Sequence, residues 1–413
     1  MKVAFKTFLV SLINLLRQIG ISIQNKFHVK NLLKIKYVFA LGFSYLLVIT
    51  SIIFIYIDIP YNYKSNTITM ALYSTQQRIG ESLTYDRINA AAKRNGWNVI
   101  GVCLPEDLAL NFATRHFFLA AINLVNWIYK PTFNFHSTHH SNTTPHGYNI
   151  MSINVPNENI IGAKGDFKKQ FRHLANYDAY VDIYSLVHGS NPMLLHALSL
   201  HNNETAPIFP LFFAVNHMPY SSAKREQINI VGSLWGCNRE SLRVFSVIKR
   251  LAKENLLVAY GLKPFFEPLG CAYKGRIEEQ IDTNTEKVDG LFNIQKKYGI
   301  SLVLHNLEHL IDGIPTNRIV ESISAGSIVI SDNHPFVKKY FGDTVLYFDA
   351  FAQPDEMYDQ IQKHVMWIRN HPDEAEKKAK AAHKILEEQL TMEKALLKLS
   401  DLVDKNKDYK KEV

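Results

Sequence analysis

From Thr67 onward the chain alternates short apolar runs with segments of helical spacing, and this limits it to few folds. "TITMALYS", from Thr67, reads as a buried strand, and "LTYDRINAAAKRNGW" carries Leu83, Ile88, Ala91 and Ala92 on one helical face. "NVIGVCL" is the next strand, and "AYVDIYSLV" and "IFPLFFAV" read as strands further on. Strands alternating with helices over such a length imply doubly wound parallel sheets.

A second series repeats the pattern. "INIVGSLWG" is a strand running into a turn, and "SLRVFSVIKRLAKEN" is an amphipathic helix. "LLVAYG", "ISLVLHN", "SIVIS" and "TVLYFDA" follow as strands. The polar segment from Asn216 to Gln227 separates the two series. The expected domains are therefore an α/β unit over 67–220 and a second α/β unit over 228–370, with a cleft between them. Residues 371–413 are expected to form covering helices, with apolar stripes in "AEKKAKAAHKILEEQL" and "MEKALLKLSDLV".

The N-terminus is of another kind. Residues 1–36 form a basic, partly amphipathic arm, and Tyr37 to Ile57 contains no charged residue. At about 1.5 Å per residue, that run spans the roughly 30 Å hydrocarbon core of a bilayer. A transmembrane helix over 37–57 is expected, in a single-pass membrane protein with a cytoplasmic arm. Seven of the basic residues (Lys2, Lys6, Arg17, Lys26, Lys30, Lys34 and Lys36) lie before or at the start of this run, with no acid among residues 1–57. They account for most of the net charge of +8. The remainder is close to neutral, so the basic balance argues for a membrane flank and not for nucleic acid. Cys103, Cys237 and Cys271 form no paired motif, which leaves no case for a disulfide framework or a zinc site.

One stretch carries chemistry: "DGIPTNRIVESISAGSIVISDNHPF", Asp312 to Phe336. Pro315 sets a turn, Thr316 is a candidate N-cap, and a helix follows from about Asn317 to Ala325 until Gly326. Ile319, Val320 and Ile323 form its buried stripe. Arg318 and Glu321, three residues apart, share the opposite face, expected to look into the cleft. The free amides and positive dipole of a helix N-terminus suit a diphosphate, making Thr316, Asn317 and Arg318 candidate substrate contacts. Glu321 can accept hydrogen bonds from two neighbouring hydroxyls, as on a ribose. The alternative is a solvated surface ion pair of little energetic consequence. Taken alone, the pair favours that alternative; the binding role gains the advantage only where Pro315, Gly326 and the flanking strands match the family resemblance carried by this stretch.

The segment "GIPTNRIVESISAGSIVISDNHPFVKKYFGDTVLYFD" resembles the donor-binding half of group 1 glycosyltransferases, closest to the glycosyl-transferase-like spore proteins. "VGSLWGCNRES" is similar to the strand and glycine turn that open that half, and "GCAYKGRI" to its loop near the nucleotide base. The resemblance implies the GT-B fold: two Rossmann-like domains facing across a cleft. It implies transfer of a sugar, of the hexosyltransferase kind, from a nucleotide-sugar donor to a glycan, lipid or protein acceptor, with no metal and no cofactor. It assigns Glu321 to the donor ribose, Gly232 and Arg239 to the diphosphate turn, and Tyr273 and Lys274 to the base loop.

Many retaining members carry a second glutamate eight positions before the one matched by Glu321. Here that position is Gly313, and Asp312 or Glu308 is the candidate substitute. His217, after the strand "FFAV", is a candidate general base. The "FHSTHHSNTTPHGYN" segment reads as a polar loop before it reads as a metal site. A non-catalytic glycan- or nucleotide-binding protein on the same scaffold is the competing reading.

Overall fold

The computed structural model describes residues 57–409 apart from 61, 77–78, 106–121, 137–146, 154–175, 201, 233–242, 262–265 and 277–286. The basic arm and nearly all of the expected membrane span lie outside the described residues. Among the described residues, no helix is long and apolar enough to cross a membrane. Ile57, expected to close the span, is not helical. It is buried and begins a short edge strand of the first sheet.

That sheet has seven strands: β1 (Ile57–Asp58), β2 (Thr69–Gln76), β3 (Asn98–Pro105), β4 (Phe133–His136), β5 (Tyr148–Ile153), β6 (Ala179–Asp182) and β7 (Ile208–Phe209). Their order is β1-β3-β2-β4-β5-β6-β7, and every pair is parallel except β1 with β3. The second sheet is wholly parallel. It contains β8 (Gln227–Gly232), β9 (Leu257–Gly261), β10 (Gly299–Val303), β11 (Ile328–Asp332) and β12 (Leu346–Phe348), in the order β12-β11-β10-β8-β9. Both orders reverse direction once, between β2 and β4 and between β8 and β10. Ligands of open α/β sheets bind outside the carboxyl ends of strands at such reversals.

Helices cover both sheets. In the first half they include α1 (Ile79–Arg94), α2 (Tyr184–His188) and α3 (Pro192–Ser199). In the second they include α4 (Arg243–Lys253), α5 (Lys287–Tyr298), α6 (Leu307–Asp312), α7 (Asn317–Ser324), α8 (Pro335–Phe341), α9 (Pro354–Asn370), α10 (Pro372–Gln389) and α11 (Met392–Tyr409). The last helix returns to the first half. Met392, Leu396, Leu399 and Val403 of α11 are buried in one cluster with Ile88 and Ala91 of α1.

Two strands end earlier than the apolar pattern suggests. "AYVDIYSLV" is strand only to Asp182, whose carboxylate accepts the Ser185 amide and turns the chain into α2. "IFPLFFAV" stops pairing at Phe209, because Pro210 has no amide hydrogen to offer a ladder. Two strands, β4 and β5, escape the apolar pattern, and the segment that reads as a polar loop overlaps them only at Phe135–His136 and Tyr148–Asn149. His136 is instead fully buried on β4. Its ring stacks on Tyr73 at 4.7 Å and its Nε2 lies 3.2 Å from the Asn149 Oδ1. Asn126, Asn134 and Asn149 continue this polar row by bonding one another. His139, His140 and His146 lie outside the described residues.

Burial pulls the His136 pKa down to about 4. The folded ring therefore stays neutral while the unfolded chain, titrating near the ordinary histidine value of 6.5, takes up a proton. Its contribution to stability is complete above pH 6.5 and is lost as pH falls toward 4. At pH 5 the loss is about 2 kcal/mol. His136→Phe keeps a ring against Tyr73 but cannot titrate. Denaturant unfolding at pH 7.5 and pH 5 should show a smaller acid penalty in this variant by about that amount. Equal penalties in both proteins would refute the assignment.

Candidate functional site

The stretch that carries chemistry folds as its spacing suggests. α7 runs from Asn317 to Ser324, with Ile319, Val320 and Ile323 fully buried. Thr316 holds the N-cap backbone conformation, φ −75° and ψ 148°, but makes no side-chain capping bond. Its hydroxyl is buried without a hydrogen-bond partner. Arg318 and Glu321 do share a face, with Arg318 Nη1 2.5 Å from Glu321 Oε2. That face does not look into open solvent. Arg87 of α1, from the other half of the chain, donates from Nη2 to Glu321 Oε1 at 2.6 Å. Arg87 is 2% exposed and Glu321 4%. The expectation of a cleft-facing carboxylate is thus corrected: Glu321 is enclosed between two guanidinium groups where the halves meet. Burial and the nearby Arg87 draw the Arg318 pKa downward, and Glu321 opposes them.

Gly313 caps α6 in the left-handed conformation, φ +64°. A Cβ built on it would come within 3.0 Å of Val187 Cγ1 and 3.1 Å of His188 Nε2, both on α2. A glutamate at this position would be strained by its left-handed backbone and would have to displace Val187 or His188, because the first half packs directly onto it. Asp312, the neighbouring candidate, ends α6 half-buried. Its charge, after burial, helps push the Tyr184 hydroxyl pKa up across the same boundary.

A second cluster was not singled out from the sequence, although the strand ends that carry it were. His305, two residues past β10, donates its backbone N–H to Asp332 Oδ2 at 2.7 Å, and its Nδ1 lies 2.9 Å from Asp332 Oδ1. The His334 ring lies 4.0 Å from the His305 ring, and its Nε2 is 3.1 Å from the His309 carbonyl oxygen. His305 Nε2 and His334 Nδ1 have no hydrogen-bond partner. Burial and the neighbouring His305 hold the His334 pKa down to about 3, so that ring is neutral. Burial also lowers the pKa of His309, whose Nδ1 reaches the Ile314 carbonyl oxygen at 2.8 Å. A carboxylate-oriented imidazole at the end of β10 can exchange a hydrogen bond with a ligand at the β8–β10 reversal.

Gly232 lies at the same end of the sheet, as the last residue of β8. It pairs with Gly261, whose added Cβ would fall 1.9 Å from the Gly232 carbonyl oxygen. Tyr273 and Lys274 continue this edge. The Tyr273 hydroxyl donates to the Gly261 carbonyl at 3.1 Å, and the Lys274 amide to the Ala259 carbonyl at 2.9 Å. The Lys274 side chain is exposed. The structure therefore gathers Gly232, Tyr273 and Lys274 around the ends of β8 and β9, and Thr316, Asn317, Arg318 and Glu321 on α7 after β10. Arg239 lies outside the described residues. His217 is held elsewhere: its exposed ring meets Glu387 of α10, and its amide donates to Glu393 of α11. These bonds tie down the connection between the halves.

Two α/β units, one on a largely parallel sheet and one on a wholly parallel sheet, define a GT-B-like architecture. Residues 279–401 match the family described as glycosyl transferase-like. Solved structures repeat the fold over nearly the whole described chain. Sucrose-phosphate synthase from Thermosynechococcus elongatus aligns with a TM-score of 0.54 at 11% identity, covering 83% of this chain and 100% of that one. The trehalose-6-phosphate phosphatase N-terminal domain of Candida albicans gives 0.53 at 10% identity, covering 84% and 99%. HepE of Anabaena, solved with UDP and glucose, gives 0.52 at 7% identity, covering 82% and 100%. At these identities the likeness is one of fold. No curated protein sequence matches this chain. The resemblance to group 1 glycosyltransferases, carried in the sequence by the α7 stretch, is found again in both the family match and the fold.

The Gly313 contact is testable. Gly313 and Gly96 both have positive φ, +64° and +78°, but only Gly313 has a neighbour within 4 Å of an added Cβ. Left-handed φ costs a non-glycine residue about 1–2 kcal/mol. Gly313→Ala should lower unfolding stability by more than Gly96→Ala, with further loss from the contact with Val187. Equal losses would mean that the halves do not press together there.

Proposed function

We propose that this chain is a glycosyltransferase that takes a nucleotide-sugar donor in its C-terminal half and an acceptor glycan, lipid or protein in its N-terminal half. One observation carries the reading. The glycosyl transferase-like match covers α7 and β11, beside a strand-order reversal flanked by Gly232, Tyr273, Lys274 and the N-terminus of α7. On this reading the base rests near Tyr273 and Lys274. The diphosphate lies against the Gly232 turn, Arg239, Arg318 and the first amides of α7, with Thr316 and Asn317 beside them. Glu321 takes the ribose hydroxyls. Fixed positive groups and helix amides stabilise the leaving diphosphate, so the reaction requires no metal and no cofactor. Asp312 is the carboxylate nearest the position of the missing family glutamate, and we assign it the catalytic role in place of His217.

A non-catalytic nucleotide-binding protein is the second reading, favoured by the strain and crowding that a glutamate would meet at Gly313. Incubation of the full chain with UDP-, GDP- and ADP-sugars decides between them. A catalyst should hydrolyse or transfer from one series and be thermally stabilised by it. Stabilisation without turnover selects the second reading, and neither effect refutes both.

The membrane assignment belongs to this proposal as well: the uncharged run before Ile57 anchors the protein, with its basic arm in the cytoplasm. A cysteine placed at position 4, with the native cysteines replaced, should resist impermeant thiol reagents in intact cells. Labelling from outside would reverse the orientation.

The base-loop assignment gives a sharper test. Lys274 is exposed, so Lys274→Ala should change stability by no more than about 0.5 kcal/mol. Loss of a charge-assisted contact should weaken nucleoside-diphosphate binding about tenfold. Calorimetry beside a melting curve separates the two effects. Unchanged affinity would remove Lys274 from the site.

A further inference from the structure

The contact between α1 and α7 holds more positive charge than it neutralises. Arg87 and Glu321 are buried and Arg318 is half-buried beside them, and the cluster carries a net charge of +1. Arg87 uses only Nη2 on Glu321, and its Nε and Nη1 are buried without hydrogen-bond acceptors. Arg318 Nη1 faces Glu321 but makes no well-directed hydrogen bond. Unmet guanidinium donors in a net-positive cluster are costly. An arrangement like this is what an oxyanion would complete: planar donors and two positive charges.

We propose that Arg87 and Arg318 form an oxyanion site shared by the two halves, and that it takes a phosphoryl group of the nucleoside diphosphate. The assignment of the ligand rests on the glycosyltransferase reading; the oxyanion site itself does not. Without ligand, Arg87 is the counter-ion of Glu321. With ligand, the ribose hydroxyls replace Arg87 on the carboxylate, and the guanidinium passes to the phosphate. No covalent bond changes. The exchange makes a residue of the N-terminal half a direct contact of a ligand otherwise bound by the C-terminal half. Donor binding then couples the two halves through one side chain.

Arg87→Met tests this, since it removes the charge and keeps much of the bulk. Arg318 remains to neutralise Glu321, so the variant should stay folded. Pyrophosphate, UDP, GDP and ADP, and the bare nucleosides are titrated by calorimetry against the full-length wild type and the variant. The wild type should bind pyrophosphate and one nucleoside diphosphate. The variant should bind both at least tenfold more weakly, yet bind the matching nucleoside as well as or better than the wild type. Arg87→Lys, which keeps the charge without the fork, should fall between them and serves if the methionine variant does not fold. Equal weakening of nucleoside and diphosphate would make Arg87 a structural residue and overturn the proposal. So would unchanged diphosphate affinity in either variant, or a wild type that binds neither pyrophosphate nor any diphosphate. Pyrophosphate binding that depends on Arg87, without nucleotide binding, would support the oxyanion site while refuting the donor reading.

Discussion

The two halves of the chain share an apolar core, and the position of every candidate site residue on α7 depends on it. Phe212, Ala214 and Val215, from the end of the first half, are buried in one cluster with Ile319, Val320 and Ile323 of α7. Leu386 and Leu390, at the end of α10, complete it. Fully burying a side chain of this size contributes about 1.5–3 kcal/mol, so several of them fix one arrangement firmly. α7 is therefore wedged between the halves and does not lie on the outer surface of the second sheet.

Close packing at this boundary explains its glycines. A Cβ on Gly326 would fall 2.0 Å from the Ser221 carbonyl oxygen, and one on Gly299 would fall 1.4 Å from that of Lys224. The connecting segment thus lies directly against the backbone that begins β10 and follows α7. Outside it, Tyr220, Ser222 and Arg225 all bond the Glu376 carboxylate of α10. These bonds hold its pKa low against the opposing effect of burial. Arg94 donates to the Glu393 carboxylate of α11 and Asn95 to the Glu393 backbone carbonyl, while the same carboxylate accepts the His217 amide of the connection. The connection is thus pinned on its apolar side by the shared core and on its polar side by carboxylates of the last two helices.

This arrangement bears on function through charge. An apolar wedge alone would exclude polar groups from the boundary. Instead it encloses Arg87, Arg318 and Glu321, whose burial is tolerated because the carboxylate meets both cations. Near the strand ends of the second sheet, the His305–Asp332 pair and the neutral His334 form a second enclosed polar group. Apart from Arg87, which lies on α1 after β2, both groups lie at or just after the carboxyl ends of β10 and β11. There a doubly wound sheet leaves its strand ends uncovered by its own helices.

The alternation of apolar runs by itself determined that the chain would build parallel sheets, because strand and helix periodicities are local properties of side-chain order. Spacing likewise determined that Arg318 and Glu321 would meet, since residues three apart on a helix are neighbours whatever surrounds them. The glycine at position 313, where the resembling family often has a glutamate, was also legible. What the spacing could not carry was which surfaces would be covered. β4 and β5 look polar in sequence, and they are buried only because His136, Asn134 and Asn149 satisfy one another across strands. Arg87 is an unremarked helix residue until the fold brings it to Glu321, 234 positions away. Its meaning, and the enclosure of the carboxylate, were decided by tertiary structure alone. Burial is a property of what packs against a side chain, and that partner comes from the other half of the molecule.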